Sequence, residues 1–167
     1  MRIKLLLIFG LALALAPAVS SQTKTSGTLS CGKPDPAYSI EVGDRPSHSV
    51  AISKIACTWT TPMEIADVPT KDGYDVTYSD ASGAKVRGSG YHVSNMSNGD
   101  KIYVHFQGND TMMDGKPSTS EGTWGYTGGT GKFKGIKGKG TYKGKTDSTG
   151  NMVSEIEGDY ELPAAGK

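Results

Sequence analysis

The chain has 167 residues, a formal charge of +1, 23 glycines and only two cysteines. So neutral a balance gives no support to a nucleic-acid surface, and two cysteines without a CxxC pair give none to a zinc module. Abundant glycine and the lack of a long amphipathic helical stretch beyond the first residues point to an all-β domain.

Residues 1–21 read as an export signal. Arg2 and Lys4 form a charged start, Leu5 to Ala16 an apolar stretch, and Ala16, Ala18 and Ser20 supply the small residues of a cleavage region. The apolar run is too short to stop in a bilayer, so no stable membrane anchor is expected. Losing Arg2 and Lys4 takes the charge from +1 to −1. Residues 22–167 remain as a secreted or periplasmic domain large enough to bury a core. Cys31 and Cys57, an even number in an exported chain, are expected to pair as a disulfide. In the chain-entropy description a loop of this length contributes about 3.5 kcal/mol. Two buried thiols, or half of a metal site, are the alternatives.

In chain order, Gln22 to Gly27 reads as a flexible start. Thr28 to Gly32 and Tyr38 to Val42 read as short strands split by a turn at Lys33-Pro34-Asp35-Pro36, with another turn at Gly43 to Pro46. Ser47 to Thr60 is a long strand candidate. Val50 and Ile52 lie in one phase and Ile55, Cys57 and Trp59 in the other, which predicts a bulge near Ser53-Lys54. Met63 to Pro69 is irregular, with one helical turn as its simplest reading. From Gly73 a meander begins: Tyr74, Val76 and Tyr78 alternate, Asp80 to Gly83 turns, and Lys85 to Ser94 extends. Asn98-Gly99 predicts a tight hairpin into Lys101 to Gly108. Asp114-Gly115 turns the chain into Glu121 to Thr127.

Gly128-Gly129 predicts a turn and Thr130 to Phe133 a short extended piece, with Gly135 a natural bulge residue. Ile136, Gly138, Gly140, Tyr142 and Gly144 then fall on one face, and Lys137, Lys139, Thr141, Lys143 and Lys145 on the other. Beyond the turn at Asp147 to Asn151, Ile156, Gly158, Tyr160 and Leu162 alternate with Glu155, Glu157, Asp159 and Glu161. A hairpin centred on Thr149 sets Lys143 against Glu155, Lys139 against Asp159 and Lys137 against Glu161. The lysines of this segment are therefore the wet face of a salt-laced hairpin rather than a polyanion site. About eight antiparallel strands with short connections make a sandwich or a barrel, and glycines inside strands favour the barrel.

The run Gly128 to Tyr142, with its Gly-Gly-Thr-Gly-Lys-Phe start, resembles the glycine-rich segment of the allene oxide cyclase and dirigent-like barrel superfamily. The segment Cys31 to Val42, Asp44, His48 and Cys57-Thr58-Trp59 is similar to an uncharacterised branch of small exported bacterial proteins. The resemblance implies a single antiparallel, eight-stranded, calycin-like barrel with a central cavity, spanning residues 22–167. It carries no activity to this chain.

Several constellations were weighed for chemistry. Gly129-Thr130-Gly131 and Gly144-Lys145-Thr146 mimic parts of a phosphate loop, but no helix follows. A two-residue turn at Asn98-Gly99 would set His92 opposite His105, weak candidates for a metal that lack a third ligand. Asp44, Arg45 and His48 form a cluster without a nucleophile. Trp59, Trp124, Tyr91, Tyr103 and Phe106 are expected in the core or at the barrel ends. The inward stripe expected to meet a ligand is Ile136, Gly140, Tyr142, Ile156 and Tyr160, with glycines leaving room beside the tyrosines. The function expected is a non-catalytic binder of a small apolar or amphiphilic ligand, with no cofactor and no nucleic-acid partner. A cyclase- or isomerase-like enzyme and an envelope interaction or inhibitor module are the alternatives, and the sequence leaves the oligomeric state open.

Overall fold

The computed structural model describes residues 22–113 and 116–163. The expected export signal and the Asp114-Gly115 turn lie outside the described residues. Nine strands follow in order: β1 (Thr23–Glu41), β2 (His48–Thr61), β3 (Glu64–Ile65), β4 (Val68–Ser82), β5 (Lys85–Met96), β6 (Lys101–Met113), β7 (Lys116–Gly129), β8 (Lys139–Thr146) and β9 (Met152–Tyr160). Each long strand pairs antiparallel with its neighbours, β2 pairs with β4, and β9 returns to β1, so eight strands close into a ring. This is the expected all-β barrel, and closure leaves no free sheet edge around the ring. Among the described residues no helix is long and apolar enough to cross a membrane.

Three readings of the N-terminal third change. Residues from Thr23 onward are not a flexible start; Thr23 to Cys31 pair with Tyr160 to Met152. Lys33 to Pro36 is not a turn between two strands. β1 runs through it, with register shifts at Pro34 and Ala37 against β2 absorbing the prolines that cannot donate to the ladder. Met63 to Pro69 is not helical but a tiny hairpin, β3 against the start of β4. Its turn residues Ala66 and Asp67 have φ of 50° and 63°. The Ala66 amide donates to the Tyr160 hydroxyl at 2.9 Å and the Lys132 ammonium donates to the Ala66 carbonyl at 2.5 Å, which holds this left-handed pair.

The interior has two unlike ends. At one, Met63, Ile65 and Val68 from the small hairpin meet Trp59, Met96, Ile102, Phe133 and Ile136 in a closed apolar core. Thr130 to Phe133 is not extended: Gly131–Phe133 is a 3-10 turn that drops Phe133 into this core, fully buried. The Asp100 carboxylate accepts the Lys132 amide at 3.1 Å beside Gly131, whose φ is 47°. The β8–β9 ladder has the expected register, with Lys143 opposite Glu155 and Lys137 opposite Glu161. The ion pair found in that region is instead Lys24 with Asp159 at 3.7 Å, across to β1. No lysine of β8 closes on an acid of β9 among the described residues. Lys24 is exposed while Asp159 is largely buried, and this one pair does not join β8 to β9, so register here rests on the ladder and the apolar inner face.

Candidate functional site

The other end of the interior is polar. By alternation, Ser53 of β2, Asp75, Thr77 and Ser79 of β4, His92 of β5, Asp110 of β6, Ser120 of β7 and Tyr142 of β8 point inward. Most of them are partly exposed although they face inward, so water enters at this end. None of the inward positions on the paired strands carries lysine or arginine; the acids at inward positions are Asp75 and Asp110, with Glu41 exposed at the end of β1.

A continuous hydrogen-bond chain separates this polar end from the packed one. Trp59 Nε1 donates to Ser94 Oγ at 2.8 Å, and Ser94 Oγ lies 2.8 Å from His92 Nε2. His92 Nδ1 is 2.6 Å from Asp75 Oδ1. With the ring proton on Nδ1, every member is satisfied: tryptophan to serine, serine to histidine, histidine to aspartate. Ser94 is fully buried and His92 nearly so. The spacing matches a nucleophile, a base and its orienting carboxylate. Ser94 Oγ, however, is enclosed and already accepts the indole N–H, so no substrate carbonyl reaches it in this arrangement.

Inside the barrel, aromatic rings from β7 and β8 lie across glycine pairs. The Trp124 indole crosses Gly140 and Gly158, and a methyl group at Gly140 would come within 2.6 Å of that ring. Tyr142 reaches the other way over Gly122 to Gly108, where its hydroxyl occupies the space a side chain would need. Phe106 meets Tyr142 edge to face at 6.3 Å. Burial, with the Asp110 and Asp75 carboxyls nearby, pushes the Tyr142 hydroxyl up to about 12. Burial also raises Asp110 above the ordinary carboxylate value, partly offset by the hydroxyl of Ser120, its cross-strand partner.

The predicted stripe does face inward, but it is divided. Ile136 is core, Gly140 lies beneath Trp124, and Tyr160 clamps the small hairpin, all toward the packed end. Tyr142 and Ile156, cross-strand partners, reach the polar end. The room beside Gly140 is thus taken by the protein's own indole. The two histidines do not meet. His92 is opposite Val104 and His105 opposite Tyr91, so one faces inward and the other outward. The turn holds three residues, Ser97 to Gly99, with Gly99 at φ 88° and Met96 N donating to the Asp100 carbonyl at 2.9 Å. That loop shifts the register by one from a two-residue turn. Tyr91 is likewise exposed rather than core, stacked edge-on with His105 at 5.1 Å.

Cys31 and Cys57 are joined as expected, directly opposite one another on β1 and β2 with Cα atoms 4.1 Å apart. A disulfide points to an oxidising, extracellular or periplasmic compartment. The Asp44 cluster forms outside the barrel wall. Asp44 hydrogen-bonds His48 Nδ1 and pairs with Arg45 at 2.6 Å, while His48 Nε2 lies 3.1 Å from Asp80. The His48 hydrogen bond holds the Asp44 carboxyl below its ordinary value. Asp75, Ser94, Asp110 and Ser120 were not singled out from sequence. Their only signal is a polar residue in every second position beside an apolar one, and alternation does not say which phase is the inner one.

No family model and no curated protein matches the chain. Among solved structures, a pterocarpan synthase dirigent protein is 15% identical over 89% of this chain and 88% of its own, with a TM-score of 0.49. A Shewanella oneidensis MR-1 protein of unknown function from the DUF3224 family is 17% identical over 87% of this chain and 100% of its own, also at 0.49. A pyocyanin demethylase is 16% identical over 80% of this chain and 98% of its own, at 0.42. The likeness concerns the barrel, which the ring of strand pairings establishes by itself.

Proposed function

We propose that this is an exported, non-catalytic barrel that binds a small amphiphile at the polar end of its interior. The apolar part of the ligand lies against Phe106, Tyr142 and Ile156, and its head, cationic or rich in hydrogen-bond donors, meets Asp110 and Asp75. The observation that supports this reading is that the acids at inward positions, Asp75 and Asp110 with Glu41 at the strand end, have no inward lysine or arginine beside them. A carboxyl kept in a partly dry lumen costs stability unless it is compensated, and a bound donor would compensate it. The enzyme reading has one observation in its favour, the Asp75–His92–Ser94 chain, and the enclosure of Ser94 Oγ weighs against it.

Titration of the protein with a dansyl alkylamine and with a dansyl fatty acid of equal length tests the proposal. The amine should bind at least about tenfold more tightly, and Asp110→Asn should remove most of that difference. Equal affinity for the two probes, or no binding of either, would overturn it. Hydrolysis of a p-nitrophenyl ester that disappears in Ser94→Ala would favour the enzyme.

A further inference from the structure

The outer surface of β1, β2, β4 and β5 carries apolar side chains where a solvated barrel wall ordinarily carries polar ones. Tyr38 and Ile40 are each 70% exposed, Ile52 58%, Tyr91 56%, Tyr78 48% and Val76 42%. They form one patch, because Tyr38 pairs with Ile52 and Ile52 with Tyr78, while Ile40 pairs with Val50 and Val76 with Tyr91. An aromatic side chain offers about 200 Å² when fully open, so these six leave roughly 600 Å² of side-chain surface free. That is at the top of the roughly 300–600 Å² range of the largest patch on an ordinary monomer. Val50, Tyr74 and Val93 on the same face extend it toward the roughly 800 Å² per partner of a standard interface.

We infer that this wall is the interface of a two-fold homodimer, with a second copy of the chain as its occupant. Size is the first reason, and tyrosine-rich composition with an uncharged centre is the second. The third is the placement of charge. Lys54 lies within one half of the patch, opposite Val76 and with its ammonium 4.4 Å from the Tyr74 ring, and Asp80 and Arg87, paired across β4 and β5, lie in the other half beside Val50. A two-fold axis in the plane of the wall and across the strands brings Lys54 toward the partner's Asp80 and Arg87 over the partner's Tyr91. Two walls stacked in this way pack face to face as sheets do, about 10 Å apart, with the tyrosines interleaved.

Sedimentation equilibrium of the exported chain at micromolar concentration should give twice the chain mass. Ile52→Lys and Tyr78→Glu, both on the outer surface, should each weaken dimerisation at least about tenfold and leave the circular dichroism spectrum unchanged. Two variants are used so that a folding defect in one leaves the other to decide. A monomer at the highest concentration reached, or a dimer indifferent to both substitutions, would overturn the inference. So would a monomer that co-sediments with phosphatidylglycerol vesicles through the same residues, which would assign the wall to a lipid surface.

Discussion

Two walls of one barrel obey opposite rules. On β8 and β9 the outward positions include Lys139, Lys143, Lys145, Glu155 and Glu157, all five exposed, and the inward ones include Gly140, Tyr142, Ser154 and Ile156. On β2 and β4 the outward positions include Val50, Ile52, Tyr74, Val76 and Tyr78, and the inward ones include Ser53, Asp75, Thr77 and Ser79. Both walls alternate equally well. The difference teaches that alternation gives the phase of a strand but not its sign. A row of charges fixes the sign, because lysines and carboxylates in such number cannot be taken out of water. A row of apolar residues does not, since apolar surface is tolerated on either side.

The largest test of this contrast uses two isoleucines on β2. Ile55 packs against the core and Ile52 faces outward. Ile55→Glu should destabilise the fold by about 3 kcal/mol, because it sets a second carboxyl against the core, directly opposite Asp75. Ile52→Lys should change the stability of the folded monomer by no more than about 0.5 kcal/mol. Urea unfolding of both variants checks this, and comparable losses would mean that the wall is oriented differently. A second, smaller contrast uses the histidines. His92→Ala leaves Ser94 and Asp75 without their shared partner and should cost about 2 kcal/mol. His105→Ala removes an outward ring and should stay within about 0.5 kcal/mol.

The same contrast explains how much was legible from sequence. The barrel, the β8–β9 register and the disulfide could be read because each rests on a local, signed signal: charge alternation, a turn cluster, two cysteines. The phase change between Ile52 and Ile55 was read as a bulge. β2 in fact pairs with β4 without interruption from His48 to Thr58, and what changes is the side on which apolar residues lie. Asp75, between Tyr74 and Val76, faces inward, and alternation alone does not mark that side, so the polar end of the interior is not legible from sequence. The glycines misled for a related reason. Gly140 has an open face in the sequence, but the ring that fills it comes from Trp124, one strand earlier, and its reach across two strands depends on the closed barrel.

The smallest expected effect concerns Asp110, and its sign is opposite to the others. Burial raises the folded-state pKa of Asp110 above the ordinary 3.8. A carboxyl raised in this way favours folding while both states are protonated. That contribution is lost as pH rises from the unfolded value through the folded one, because the folded protein must then hold a charge that the unfolded chain solvates freely. At neutral pH the carboxylate is therefore a liability to the ligand-free barrel, and Asp110→Asn, which keeps the shape without the charge, should raise the melting temperature. The gain should shrink as pH falls below the unfolded carboxylate range, where wild type and variant are both uncharged at this position. Glu155→Gln on the charged wall, an exposed and fully solvated site, should show no such pH-dependent gain. Thermal melts of both variants between acid and neutral pH compare the two walls directly. A gain at Asp110 that persists unchanged into acid would mean that shape rather than charge sets the cost. No gain at neutral pH would place Asp110 in full contact with water and remove the electrostatic basis for a donor-bearing ligand.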